Sequence, residues 1–277
     1  MKRLTQVLIK PLLTLMFCWP TLGFSGEFPP DIQGILDRNK LIIAMYEQDQ
    51  PPFFRVSESG ALEGFDVELG RDIATELGVE AEFVRTPKTF NGTVDLVVNK
   101  EADIVISKLS ATLARAKKVY FTRPYVVLRK GLLINRLRMA QLKKGRPTPE
   151  VIQSLSGEIG VIKGSSYVGF SEQMFPKAKI IEYPRWEDVT QAVVNGDVVA
   201  GFRDELEIKR FLKTAADQAI ILEPMVFKDT KDPIAIAVSS DAPHLLHWLN
   251  QYLDTHDQNI NADKLLTRYS HMMENNK

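Results

Sequence analysis

The chain contains one cysteine, Cys18, in 277 residues, so no disulfide within the chain and no thiolate cluster for a metal is available. Histidine is also scarce: the four histidines all lie at or beyond His244. His244 and His247 share a helical face, but two histidines without a third ligand make a poor zinc site. The rest of the chain offers no histidine base to a serine nucleophile, which disfavours a hydrolase. Lys163-Gly-Ser-Ser lacks the upstream glycine of a phosphate loop. Acids and bases balance to a formal net charge of +0, and without a dense basic face nucleic acid is excluded as a partner. No segment after residue 25 is apolar for the ~20 residues that a membrane helix needs.

The first residues carry Lys2, Arg3 and Lys10 and no acid, then an apolar run over 11–24, then Gly23, Ser25 and Gly26. This order reads as a secretory signal peptide over 1–25, cleaved near Ser25. Bulky Phe17 ahead of Cys18 argues against a lipid anchor. Removing the three leader bases from 35 leaves 32 Lys and Arg against 35 Asp and Glu, a mildly acidic mature protein. It lacks cysteine, so core burial alone must stabilise it.

Strand and helix patterns alternate from residue 41 onward. Residues 41–46 read as an apolar strand that Pro51 and Pro52 stop, and 67–77 as an amphipathic helix stopped by Gly78. Strands over 81–84 and 102–107 flank a helix over 93–99. The alternation predicts an α/β fold with a parallel-rich sheet. Residues 93–106 resemble 189–202, with Val-Val-Asn shared in register; two half-similar lobes explain this, and chance recurrence of common helix and strand residues is the competing reading. The apolar segments 130–135 and 233–238 read as two crossings between lobes, and 136–156 as a solvated excursion. Lobe 1 then comprises 26–134 and 233–277, and lobe 2 comprises 135–232. Two helices, over 242–252 and 262–273, finish the chain.

The strand over 103–107 runs into a hydroxyl-rich loop, Ser107-Lys108-Leu109-Ser110-Ala111-Thr112, followed by Arg115 at the start of a helix over 114–119. Side chains at the carboxyl end of a parallel strand face a crevice. A helix start and a forked guanidinium together suit one small anion, most simply a carboxylate. The matching strand of the second copy ends in Phe202-Arg203-Asp204-Glu205. If the lobes face one another, Arg115 and Asp204 converge as partners for a carboxylate and an ammonium. A serine-rich turn with a surface arginine is the alternative.

Pro52-Phe53, Gly64-Phe65-Asp66-Val67-Glu68-Leu69, Ser110-Ala-Thr112-Leu-Ala-Arg115, Val119-Tyr-Phe121-Thr122-Arg-Pro124-Tyr125, Gly160-Val-Ile-Lys-Gly164-Ser165-Ser166 and Phe202-Arg-Asp204-Glu205 stand in one order along 41–269. In these motifs the chain resembles the periplasmic solute-binding proteins of amino-acid uptake transporters, extracellular solute-binding family 3. The resemblance implies the type II two-lobe periplasmic-binding-protein fold with two crossover strands. It also implies roles. Arg115 clamps a carboxylate with help from Ser110, Ser165 and Ser166. Asp204 takes an ammonium beside Thr112 and the Lys108 carbonyl, Phe53 and Phe90 wall the pocket, and Glu47 or Asp49 contacts the ligand side chain. Lys108 departs from the family, which usually carries Ser, Gly or Thr there. Turned inward it disfavours cationic solutes; turned outward it has no say.

The expected function is capture of a small polar solute, an amino acid or related carboxylate, by hinge closure, and delivery to an inner-membrane ABC permease. The expected protein is a monomer in the periplasm, with no metal or cofactor. An enzyme resembling cyclohexadienyl dehydratase is the rival, with Glu47, Asp49 or Asp204 as its acid; a sensor or accessory binding protein is the third reading.

Overall fold

The computed structural model describes residues 28–215, 218, 220–256 and 260–274; the expected signal segment lies outside them. Helices in chain order are α1 (Pro30–Arg38), α2 (Phe65–Glu76), α3 (Phe90–Val98), α4 (Arg136–Lys143), α5 (Thr148–Gln153), α6 (Ser166–Met174), α7 (Trp186–Asn195), α8 (Glu205–Thr214), α9 (Pro243–Thr255), α10 (Ala262–Arg268) and α11 (His271–Glu274). Strands are β1 (Lys40–Ala44), β2 (Arg55–Val56), β3 (Leu62–Glu63), β4 (Glu80–Val84), β5 (Ile104–Val105), β6 (Val119–Phe121), β7 (Val126–Leu128), β8 (Lys130–Asn135), β9 (Glu158–Ile162), β10 (Lys179–Tyr183), β11 (Ala200–Asp204), β12 (Leu222–Val226), β13 (Asp232–Ile234) and β14 (Ala237–Ser239).

Two five-stranded sheets carry the two lobes, ordered β4-β1-β5-β14-β6 and β10-β9-β11-β8-β12. Each begins with a parallel triplet around a central strand, β4-β1-β5 and β10-β9-β11, and then takes an antiparallel neighbour, β14 or β8. The segments alike in sequence are α3 to β5 and α7 to β11, which occupy equivalent places. Parallel strands need a crossover between them, and the apolar faces of these helices supply it. Leu41, Ile43, Ile73 and Ile104 fill one side of the first sheet. Leu132, Ile134, Val161 and Phe202 fill one side of the second, each buried side chain contributing about 1.5–3 kcal/mol.

The lobes are joined by a ribbon in which β13 runs antiparallel to β7, Asp232 opposite Leu128. The crossing therefore lies at β7 and β13. Residues 130–135 instead form β8, wholly buried inside the second sheet. Three other expectations change. The helix expected over 114–119 is a single 3-10 turn, Arg115–Lys117, because Val119–Phe121 is taken up as β6 against β14. The expected excursion at 136–156 folds into α4 and α5, whose Met139, Val151 and Ile152 pack into the second lobe. The final helix divides into α10 and α11, with Tyr269 capping the first.

Gly64 holds φ 123° before α2, and a Cβ there would stand 2.5 Å from the Phe53 carbonyl oxygen. Only glycine fits, and this fixes how α2 enters against the loop that carries Phe53. The next residue but one, Asp66, is thereby buried beneath the loop that leads from β5 to the cleft.

Candidate functional site

A small cavity lies between the lobes, lined on one side by Phe90, Lys108, Ser110 and Arg115 and on the other by Ser165, Ser166, Tyr167, Arg203 and Asp204, with Asp232 and Ile234 of the ribbon at its back. Its walls come from the carboxyl ends of β5 and β11, the first turn of α6 and the crossing strand β13, the places where an open α/β sheet presents its ligand contacts.

Arg115 is held from two sides. Its Nη1 donates to the Ser110 carbonyl at 2.9 Å and its Nε to Asn91 Oδ1 at 3.0 Å. Its Nη2 is buried and has no partner. Burial lowers the guanidinium from its ordinary value to about 10, against the opposing charge of Asp232, so it stays cationic at neutral pH. An orphaned donor on a buried cation costs free energy unless an acceptor arrives, and a carboxylate oxygen is the acceptor best matched to it.

Opposite Arg115, Ser165 caps α6: its Oγ accepts from the Tyr167 amide at 3.3 Å and donates to the Ile162 carbonyl at 2.7 Å. Ser110 and Ser166 meet across the cleft, hydroxyl to hydroxyl at 2.9 Å. Tyr167 donates to Asp232 Oδ2 at 2.9 Å; Asp232 Oδ1 is buried without a partner. Burial raises the Asp232 carboxyl above its ordinary value and the nearby Asp204 charge adds to the rise, while the Ser110 and Tyr167 hydroxyls and the Lys130 charge oppose it.

Lys108 turns inward. Its backbone is left-handed, φ 47°, and is pinned there by Asp66, whose Oδ2 accepts from the Lys108 amide at 2.6 Å while Oδ1 accepts from the Tyr125 hydroxyl at 3.0 Å. The side chain crosses to the second lobe, where Nζ stands 2.6 Å from Glu207 Oε1 and 3.0 Å from Asp204 Oδ2, with the Phe53 ring 5.3 Å away. Glu207 also accepts from Arg210 at 2.8 Å. Burial pushes the Glu207 carboxyl up, but the charges of Arg210, Lys108 and Arg203 outweigh it and hold the group well below the usual carboxylate range. Arg203 donates from Nη2 to Gln50 Oε1 at 2.7 Å, again across the cleft, and its guanidinium lies against the Phe90, Tyr167 and Trp186 rings at 5.6, 6.0 and 5.8 Å.

The family model for bacterial extracellular solute-binding proteins, family 3, matches residues 42–272. The chain belongs to this family. The ABC transporter arginine-binding protein 1 of Escherichia coli (strain K12) is 25% identical over 210 residues, covering 73% of this chain and 79% of that protein. Among solved structures, an ancestral amino acid-binding protein described as a precursor of cyclohexadienyl dehydratase is 27% identical with a TM-score of 0.67, covering 86% of this chain and 98% of that one. A putative binding component of an ABC transporter from Wolinella succinogenes DSM 1740, complexed with lysine, is 25% identical with a TM-score of 0.70, covering 84% and 96%.

Of the residues expected at the site of this solute-binding protein, Phe90, Lys108, Ser110, Arg115, Ser165, Ser166 and Asp204 line the cavity together. Thr112 does not: its Oγ1 accepts from the Arg115 amide at 3.2 Å and so positions the arginine. Phe53 is fully buried in the first lobe's core, touching the site only through Lys108. Glu47 and Asp49 are exposed and stand outside the cavity, Arg85 bonding the Glu47 carbonyl and the Asp49 carboxylate. Asp204 is not a free acceptor, since its Oδ2 faces Lys108 and its Oδ1 accepts from the Glu207 amide as the cap of α8. Sequence reading missed Asp66, Tyr167, Arg203, Glu207 and Asp232. Asp66 was legible in its motif and Arg203 stood beside Asp204, but Asp232 and Tyr167 meet only through the ribbon. Among the described residues, no group of three or more His, Cys, Asp or Glu is placed to hold a metal ion.

Proposed function

We propose that this protein captures a small carboxylate, an amino acid or a related acid, in the periplasm by closing its two lobes, and presents the closed form to an ABC permease as a monomer. The observation that carries the reading is the buried, unpartnered Nη2 of Arg115, a residue that lines a cavity whose other wall belongs to the second lobe. Closure supplies that wall: Ser166, Tyr167 and Arg203 reach the cavity only when the lobes meet, and a charge pair made there is far stronger than in water. The leader over 1–25 and the periplasmic relatives support the location. The enzyme reading loses two of its three acids, because Glu47 and Asp49 stand outside the cavity, and the third, Asp204, is committed to Lys108.

The test is a thermal-shift panel of L-amino acids and small mono- and dicarboxylates, followed by calorimetry on the best binder. Arg115→Met is expected to remain folded and to lose at least ~2 kcal/mol, about 30-fold in Kd, the scale for stripping one partner from a buried charge pair. Equal affinity in wild type and Arg115→Met overturns the reading.

A further inference from the structure

We propose that Lys108 is a built-in substitute for a ligand ammonium, and that the solute is therefore a carboxylate carrying no α-amino group. The inference rests on the carboxylate reading above and narrows it.

Three observations converge on it. First, the acceptors on the second lobe are spoken for. Asp204 uses one oxygen on Lys108 Nζ at 3.0 Å and the other on the Glu207 amide at 3.1 Å, and Glu207 divides its oxygens between Lys108 and Arg210. An incoming ammonium would have to displace a buried lysine whose backbone is locked by Asp66. Second, what remains free around the cavity is of the wrong kind for an ammonium. The buried side-chain atoms of its lining residues without a hydrogen bond are Arg115 Nη2, Arg203 Nε, whose nearest anion is Asp204 Oδ2 at 3.4 Å, and Asp232 Oδ1, two donors and one acceptor, whereas an ammonium brings three donors. The lone acceptor suits a single hydroxyl or the proton of an acid.

Third, the charges do not balance until an anion enters. Lys108, Arg115 and Arg203 face Asp204 and Asp232 around the cavity, a surplus of one positive charge among the lining residues; behind them Glu207 pairs with Arg210, and the buried Lys130 behind Asp232 offsets the buried Asp66 carboxyl behind Lys108. The zwitterionic core of an amino acid brings no net charge and would leave that surplus buried. A carboxylate without the ammonium removes it, and buried charge is tolerated only when paired.

The experiment compares matched acids. Calorimetry on the full mature chain uses glutamate, 2-oxoglutarate and glutarate, then leucine, 4-methyl-2-oxopentanoate and 4-methylpentanoate, then phenylalanine, phenylpyruvate and 3-phenylpropanoate. In at least one series the wild type is expected to bind a member without the amino group ~10-fold or more tighter than the amino acid, as like charge misplaced at a buried site is strongly penalised. Lys108→Ser, and Lys108→Gly, which suits the left-handed backbone, should narrow or reverse the preference. A wild type that binds the amino acid as well as its deaminated partners overturns the inference while leaving the carboxylate reading intact. An unchanged preference in the folded variants overturns the role of Lys108. Binding of no carboxylate by any form removes the carboxylate reading and this inference with it. Should neither variant fold, the wild-type ranking alone decides.

Discussion

Replacing Lys108 by methionine tests whether the charged bridge across the cleft holds the lobes closed. The change removes an ammonium with two short contacts, 2.6 Å to Glu207 and 3.0 Å to Asp204, and leaves an apolar chain of similar length against Phe53. Stripping one partner from a buried ion pair costs ~3–5 kcal/mol, because the remaining charge stays desolvated. Here the cost belongs at the low end. Glu207 keeps Arg210 at 2.8 Å and Asp204 keeps Arg203 at 3.4 Å. About 3 kcal/mol in a chain of this size corresponds to a fall of ~6–12 °C in Tm. The bridge joins two bodies, so the protein has a second way to relieve the strain: the lobes part and water reaches the carboxylates. In that case the melting point falls less and the radius of gyration rises. Calorimetric melts and small-angle scattering on wild type, Lys108→Met, Glu207→Gln and the double variant separate the two routes. The double variant should recover part of the loss, since neighbours in one network couple by ~0.5–3 kcal/mol. A Lys108→Met protein with both melting point and radius unchanged refutes the argument that this bridge is energetically significant.

Asp66 makes stability depend on pH. Burial raises its carboxyl from 3.8 to about 7, against the hydrogen bonds from the Lys108 amide and Tyr125. Between about pH 4 and 7 the unfolded chain releases a proton that the folded state retains, so stability declines as pH rises through that interval and then levels off. The decline is on the order of a few kcal/mol; Tm scans from pH 4.5 to 7.5 should show it, Asp66→Asn should flatten it, and equal slopes in both proteins would refute the assignment. Incubation with prephenate or arogenate is expected to give no product absorbance. Asp232 is the acid in the cavity left without a committed cation, so turnover that Asp232→Asn abolishes would move the protein to the enzyme class.

Much of the architecture was written in local pattern. The alternation of strand and helix, the glycine that starts α2 and the recurrence of 93–106 at 189–202 depend on neighbours in sequence, and each places its element on the sheet whatever the rest of the chain does. The same is true of Arg115 and Ser110, which a strand end and a tight turn deliver to the cleft, and of Ser165, which caps its own helix. What failed to read from sequence depended on the other lobe or on a distant strand. Residues 136–156 look solvated by composition, yet a few apolar side chains suffice to bury one face against the second sheet. Glu47 and Asp49 were expected beside the ligand, but both are exposed outside the cavity, with Arg85 holding the Asp49 carboxylate and the Glu47 backbone carbonyl. Lys108 is the sharpest case. The resemblance read from the sequence singled out the lysine at this position as a departure from the small residue expected there. Which way it points was decided by Asp66 beneath its amide and by two carboxylates 96 and 99 residues further along the chain. A long flexible side chain takes its direction from the charges that tertiary folding brings within reach, and those charges are invisible until the lobes face each other.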